Sequence, residues 1–234
     1  MITSLQNKTV KDLISLKTSK GRKNTKTFLV EGEHLVREAK LNNVLIKAYT
    51  IDESLEGELV SSDVMKKICD TDTVVRQIGV CKLLEKSDID NRVLILDGIQ
   101  DPGNLGTILR SAKAFNFNTI FLCDGTCDIY NDKVIRSSQG AIFKLNFIRG
   151  NKIDFINNLS KTHQVFNTNV RNGIDIKKAK VENNVALILG NEGNGVSIEI
   201  NDLNLNSLYI DMSNMESLNV AIAGAILMYE IASK

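Results

Sequence analysis

This sequence predicts an α/β fold built on a mainly parallel sheet and preceded by a smaller α/β module. Three observations carry that expectation. Short continuous apolar runs at Val93-Leu94-Ile95-Leu96, Thr119-Ile120-Phe121-Leu122, Gln164-Val165-Phe166 and Val185-Ala186-Leu187-Ile188-Leu189 suit strands covered on both faces. Helix-like stretches separate them, as expected of parallel strands joined by crossovers. Upstream, Glu85-Lys86-Ser87-Asp88-Ile89-Asp90-Asn91 is polar and poor in core residues, which marks a boundary. The expected domains are residues 1–85, a linker at 86–91, and residues 92–234.

The elements follow in chain order. Phe28 to Glu31 reads as a short strand, and Glu33 to Leu41 as a helix with Leu35, Val36 and Ala39 on one face. Val44 to Ile51 is a second β-rich run, Asp63 to Ile68 a helix, and Val74, Val75 and Ile78 continue the apolar signal. In the second half, helices are expected from about Leu105 to Phe115, from Ile153 to Leu159 and from Leu218 to Ala232. The last has a broad apolar face that suits either its own sheet or a second subunit.

Composition bounds the function. The 234 residues are 43% hydrophobic and 24% charged, a globular balance rather than a disordered one. With 29 basic and 28 acidic residues, the chain is not a uniformly basic histone-like protein. Residues 1–27 nevertheless hold seven basic groups, among them Lys20, Arg22, Lys23 and Lys26, against the single acid Asp12. The remainder carries 22 basic and 27 acidic residues. A basic leading segment on an acidic body fits contact with a polyanion, and a solvated helix followed by a loop fits it equally. The N-terminus lacks the apolar core of a signal peptide, and the longest apolar run, Val220 to Tyr229, is about half of what spans a bilayer. The four cysteines then read as reduced thiols, and the cytoplasm is the expected compartment.

Three loops after strands carry the chemistry, because ligands of parallel sheets gather at the strands' C-terminal ends. In the first, Asp97 to Arg110, Pro102 and Gly103 turn the chain and Asn104 is the expected helix cap. Arg110 is then either a planar fork for a phosphate or an ordinary surface arginine. The second, Gly190-Asn191-Glu192-Gly193-Asn194-Gly195, suits a cofactor cradle or a tight structural turn. It matches neither a Walker A loop nor a dinucleotide fingerprint, and the Glu192 carboxylate would repel a phosphate. The third, Ile210 to Val220, offers Ser217 and Asn219 as hydrogen-bonding groups beside Arg110 if the three loops converge. Cys123 and Cys127 lack zinc partners, no metal site is expected, and no G-x-S-x-G elbow is present.

In order and spacing these loops resemble the SpoU (TrmH-type) family of RNA 2′-O-ribose methyltransferases. Asn104-x-Gly106-x-x-x-Arg110, Leu187 to Gly195 and Glu216-Ser217-Leu218-Asn219-Val220 are similar to its three motifs, over roughly residues 92–234. Phe28-Leu29-Val30-Glu31-Gly32 and the following helix resemble the RNA-binding domain often fused ahead of it. The resemblance implies a Rossmann-like sheet with a C-terminal trefoil knot. It implies S-adenosylmethionine bound at Gly190, Ile210, Leu218 and Thr168, and a homodimer formed through the last helix. Arg110 would be the central catalytic residue, with Asn104, Glu192, Ser217 and Asn219 around it. RNA would meet Lys20, Arg22, Lys23 and Lys26. Ribosomal RNA is the expected substrate, with transfer RNA the alternative and a non-catalytic ribosome-assembly factor a further one. No membrane partner and no metal are implied. A guanidinium is too weak an acid to act as a neutral base near pH 7, so Arg110 is expected to grip a phosphate while the proton leaves through that phosphate, a water or Glu192. The third motif departs from the family pattern: Asp211 stands where a proline is usual, and a glycine before Ser217 is missing.

Overall fold

The computed structural model describes residues 1–70, 74–84, 89–170 and 172–234. Of the linker expected at 86–91, residues 86–88 lie outside the described residues. The chain forms two compact units, Met1–Leu84 with Asp128–Phe143, and Glu85–Cys127 with Lys144–Lys234. The segment following the second strand of the parallel sheet therefore belongs to the first unit.

That unit opens with α1 (Lys8–Ser15), capped by Asn7, and α2 (Ser19–Thr25), capped by Thr18 and ended by Lys26 in the left-handed region at φ 55°. It continues with β1 (Thr27–Glu31), α3 (Glu33–Leu41), β2 (Leu45–Thr50), β3 (Glu58–Leu59), α4 (Ser62–Ile68) and β4 (Gln77–Lys82). The sheet runs in the order β1-β4-β2-β3, with β4 antiparallel to both β1 and β2. The expected face of α3, Leu35, Val36 and Ala39, is the buried one. Val10 and Leu13 of α1 meet Val64, Met65 and Ile68 of α4 in the core.

The second unit begins with β5 (Arg92–Asp97), α5 (Pro102–Ala114) and β6 (Thr119–Leu122). The chain then supplies α6 (Asp132–Ser138) to the first unit and returns as β7 (Asn146–Ile148), α7 (Lys152–Leu159), β8 (Gln164–Thr168) and β9 (Ile174–Asp175). It finishes with β10 (Val185–Gly190), α8 (Ile198–Asn201), β11 (Asn206–Tyr209) and α9 (Val220–Ala232). The sheet order is β7-β6-β5-β10-β8-β11-β9, and every registered pair is parallel. All six residues of β10 are buried between β5 and β8, which explains its unbroken apolar run. Its last residue, Gly190, stands in register with Asp97 at the end of β5.

Two helix starts differ from expectation. Helix α5 begins at Pro102, not Leu105, because Asp101 is the cap and accepts from the Asn104 amide at 2.7 Å. A proline at the first helical position has no N–H to lose, which favours this register. Helix α9 begins at Val220, because the Asn219 side chain accepts from the Ala221 and Ile222 amides.

One expected RNA contact also differs. Lys20, Lys23 and Lys26 are exposed, but Arg22 is only 8% exposed. Its Nη1 donates to the Leu16 and Lys17 carbonyls, both at 2.9 Å, and its Nη2 pairs with Asp128 at 2.7 Å. The guanidinium thus closes the α1–α2 turn onto the 128–143 segment and leaves no surface for a phosphate. Arg22→Ala is expected to lower the unfolding free energy by about 2 kcal/mol, below the value for a fully buried pair because Asp128 is partly exposed. Lys23→Ala should change it by less than about 0.5 kcal/mol, as for exposed positions generally. Urea unfolding of both variants checks this, and equal effects would contradict a structural role for Arg22.

Candidate active site

The three loops meet at the C-terminal ends of β8, β10 and β11, around a cavity of ≈ 910 Å³ within the second unit. That volume lies in the range of small-molecule sites, roughly 300–1,000 Å³. Thr168, Gly190, Glu192, Ile210, Ser217, Leu218, Asn219 and Asn104 all line it. Arg110 does not. It lies two turns further along α5, exposed, with no hydrogen bond or ion pair among the described residues.

Loop 190–196 is shaped by its glycines and by Asn191. A Cβ on Gly190 would stand 2.3 Å from the Gly195 carbonyl carbon and from the Val196 nitrogen, so only glycine lets the loop fold back over its own start. Asn191 and Gly195 exchange backbone hydrogen bonds at 2.8 and 2.9 Å, with Gly195 at φ 68°. Asn191 Oδ1 accepts from the Gly193 and Asn194 amides, and its Nδ2 donates to the Gly98 carbonyl at 2.7 Å. No role for Asn191 was read from the sequence, although an asparagine before a Gly-rich turn commonly bonds its own backbone in this way.

A directional relay of side chains joins the loops. The Asn219 oxygen caps α9, which leaves its Nδ2 to donate to Asn104 Oδ1 at 3.0 Å. Asn104 then donates its Nδ2 to Glu192 Oε1 at 3.1 Å. Glu192 also accepts from the Asp101 and Gln100 amides, both at 3.1 Å, at the start of α5. Because Asp101 is the cap, the Asn104 side chain is available for this bridge. Burial pushes the Glu192 carboxyl up, but the Asn104 amide and the Gln100 and Asp101 N–H groups outweigh that and hold its pKa below the ordinary value. A carboxylate bonded through both oxygens and depressed in pKa suits a brace better than a base.

The remaining walls are mixed. Thr168 donates its hydroxyl to the Ile188 carbonyl at 2.8 Å, so towards the cavity it offers an acceptor. Leu189, Leu208, Leu218, Val220 and Leu227 supply apolar surface, and Glu192 and Glu216 supply carboxylates. None of the described lining residues is basic. Among the described residues, no group of three His, Cys, Asp or Glu side chains is placed to hold a metal ion. Burial pushes the Cys123 thiol up to about 12, with the Asp97 carboxylate adding to the effect, so it stays protonated.

The sign of the Glu192 shift sets a pH dependence. A folded pKa below the unfolded one means the brace is complete above the ordinary glutamate pKa of about 4.3 and is lost as the pH falls through the depressed value. Amide protection factors at Gln100 and Asp101 are expected to drop below that pH. In Glu192→Gln, which does not titrate, the acid step should vanish, and its persistence would place the titrating group elsewhere.

Comparison with known proteins agrees with this geometry. The model of the SpoU rRNA Methylase family matches residues 91–229, and that of the MRM3-like substrate binding domain matches residues 7–78. The 23S rRNA (guanosine(2553)-2′-O)-methyltransferase RlmP of Bacillus subtilis is 37% identical over 98% of each chain. An AdoMet-bound rRNA methyltransferase from Sinorhizobium meliloti shares the fold with a TM-score of 0.85 at 28% identity, over 98% of this chain and 96% of that one. A solved RNA 2′-O ribose methyltransferase gives a TM-score of 0.82 at 26% identity, over 98% of this chain and 97% of that one. With one family model spanning more than half of the sequence and a relative matched from end to end, the chain belongs to the SpoU rRNA methylase family.

Proposed function

We propose that the protein transfers a methyl group from S-adenosylmethionine to a ribose 2′-hydroxyl of ribosomal RNA. One observation carries this beyond family membership: the three motif loops converge on a cavity at the sheet's C-terminal edge. Its volume of ≈ 910 Å³ accommodates a cofactor of that size. The fit extends to the lining, where apolar groups face amide and hydroxyl groups across the cavity. Bound there, S-adenosylmethionine supplies the electrophilic methyl group and departs as a neutral thioether. Membership of the family also supports the threaded C-terminal segment that the motifs imply.

The chain's own residues hold and orient. Glu192, Asn104 and Asn219 lock the three loops in one arrangement, and Gly190, Ile210, Leu218 and Thr168 form the cofactor wall. Arg110, its side chain free of partners among the described residues, grips a phosphate of the RNA and stabilises the negative charge developing on O2′. With Glu192 engaged as a brace, the hydroxyl proton leaves to the gripped phosphate or to water. The first unit captures the RNA, with Lys20, Lys23 and Lys26 in contact with phosphates. Helix α9 leaves Ile222 52% and Tyr229 55% exposed, and that face is where a second copy docks. With a ribosomal substrate the protein would act in the cytoplasm.

Methyl-labelled S-adenosylmethionine, offered with fractionated unmodified RNA and ribosomal subunits, tests the reading. Alkali-resistant label is expected in the ribosomal fraction, and Arg110→Ala should transfer it about 100-fold or more slowly, the usual effect of removing a charge-stabilising donor. Label confined to transfer RNA would replace the substrate class. Cofactor binding without label in any fraction would favour an assembly factor, and unimpaired Arg110→Ala would remove Arg110 from catalysis. Separately, replacing Lys20, Lys23 and Lys26 by Ala should reduce the slope of log affinity for RNA against log salt by about 2 to 3, at roughly 0.7–0.9 per phosphate contact. An unchanged slope would move the RNA contact off α2.

A further inference from the structure

Behind loop 190–196, outside the cavity, lies a cluster of charges that the reaction does not use. Asp97, the last residue of β5, is only 5% exposed. Its Oδ2 accepts from the Ser197 amide at 2.8 Å, and its Oδ1 lies 3.4 Å from Lys152 Nζ on α7. Lys152 donates to Ser197 Oγ at 2.7 Å and approaches Glu199 Oε2 at 3.4 Å. Ser197, the first residue beyond the loop, is therefore gripped twice, through its amide and through its hydroxyl. The residue before it, Val196, accepts from Asn201 Nδ2 at 2.9 Å. The near end of the loop is Gly190, in register with Asp97 itself.

We propose that Asp97 and Lys152 are positioning residues for the cofactor, fixing the far end of loop 190–196 against the sheet edge from which its near end departs. A buried ion pair contributes little to stability against an apolar replacement of the same volume, so its value here is directional. Asp97 aims one acceptor at one amide, and Lys152 neutralises that carboxylate while holding the adjacent hydroxyl. Burial works against the Lys152 ammonium, and the Asp97 and Glu199 carboxylates outweigh it, so its pKa lies above the ordinary lysine value and the charge persists. Neither residue lines the cavity, so their effect passes through the loop backbone.

The proposal rests on the reading that the cavity takes S-adenosylmethionine, and calorimetric titration of the full chain with S-adenosylhomocysteine separates the two. If the wild type binds none, the reading of the cavity fails and the positioning role with it. If it binds, Asp97→Ala is expected to raise Kd about tenfold, the typical effect of losing a hydrogen bond to a charged group. Asp97→Asn, which keeps an acceptor for the Ser197 amide, should stay within about threefold of wild type. Ser197→Ala, which removes the hydroxyl's contacts to Lys152 and Glu199 and leaves the amide on Asp97, should raise Kd by about threefold. Ile156→Ala, on the buried face of α7, serves as the stability control: it should lower the unfolding midpoint while leaving Kd unchanged where all variants are folded. Affinities unchanged in Asp97→Ala and Ser197→Ala would overturn the positioning role, as would a loss in Ile156→Ala equal to theirs.

Discussion

Everything at the site depends on a relay of three side chains whose hydrogen bonds run in one direction only. Asn219 must turn its oxygen to the start of α9, so its nitrogen faces Asn104; Asn104 must then accept at its oxygen, so its own nitrogen faces Glu192. The Glu192 carboxylate ends the relay as an acceptor only, satisfied further by two backbone amides at the start of α5. No amide in the relay can flip without leaving two donors or two acceptors face to face. A site assembled from three loops thereby gains the rigidity of a helix terminus, because both ends of the relay are anchored at helix N-termini. The sheet supplies the rest: β10 at its centre fixes where loop 190–196 starts, and Asp97 of β5 meets the loop where it ends.

Charge is divided between the units. The cavity wall has carboxylates and no described cation, while the exposed lysines of α2 belong to the first unit. A polyanionic substrate and a cationic methyl donor need opposite surroundings, and a single basic cleft would serve one at the expense of the other. Arg110 lies outside the cavity, its side chain without a partner among the described residues.

The sequence made the sheet's centre legible and its margins obscure. Strands β5, β6 and β10 are apolar at their centres because both faces are covered, and such runs announce themselves. Strands β7, β9 and β11 are two to four residues long and partly exposed, so their membership comes from neighbours rather than from a run of their own. Among the site residues, the motifs marked Asn104, Glu192 and Asn219, but charge alone could not distinguish Arg22 from its lysine neighbours. The partner that buries Arg22 is Asp128, 106 residues away, and no local pattern reports it. The cap at Asp101 was readable in principle, since the residue before a proline at a helix start is the natural cap. Asn104 competed for that role only because asparagine is also a good capping residue.

The return of residues 128–143 to the first unit has a consequence for how this architecture can be taken apart. The polypeptide crosses between the units three times, after Leu84, Cys127 and Phe143, so no single scission yields two whole halves. A fragment ending at residue 84 would lack Asp128 for Arg22 and the Tyr130 ring whose centroid lies 4.7 Å from that of Phe28, and would expose surface that α6 covers. The substrate module is therefore not a detachable cartridge. Exchanging it in this chain would mean transplanting two stretches together, one of them set in the middle of the sequence that forms the parallel sheet.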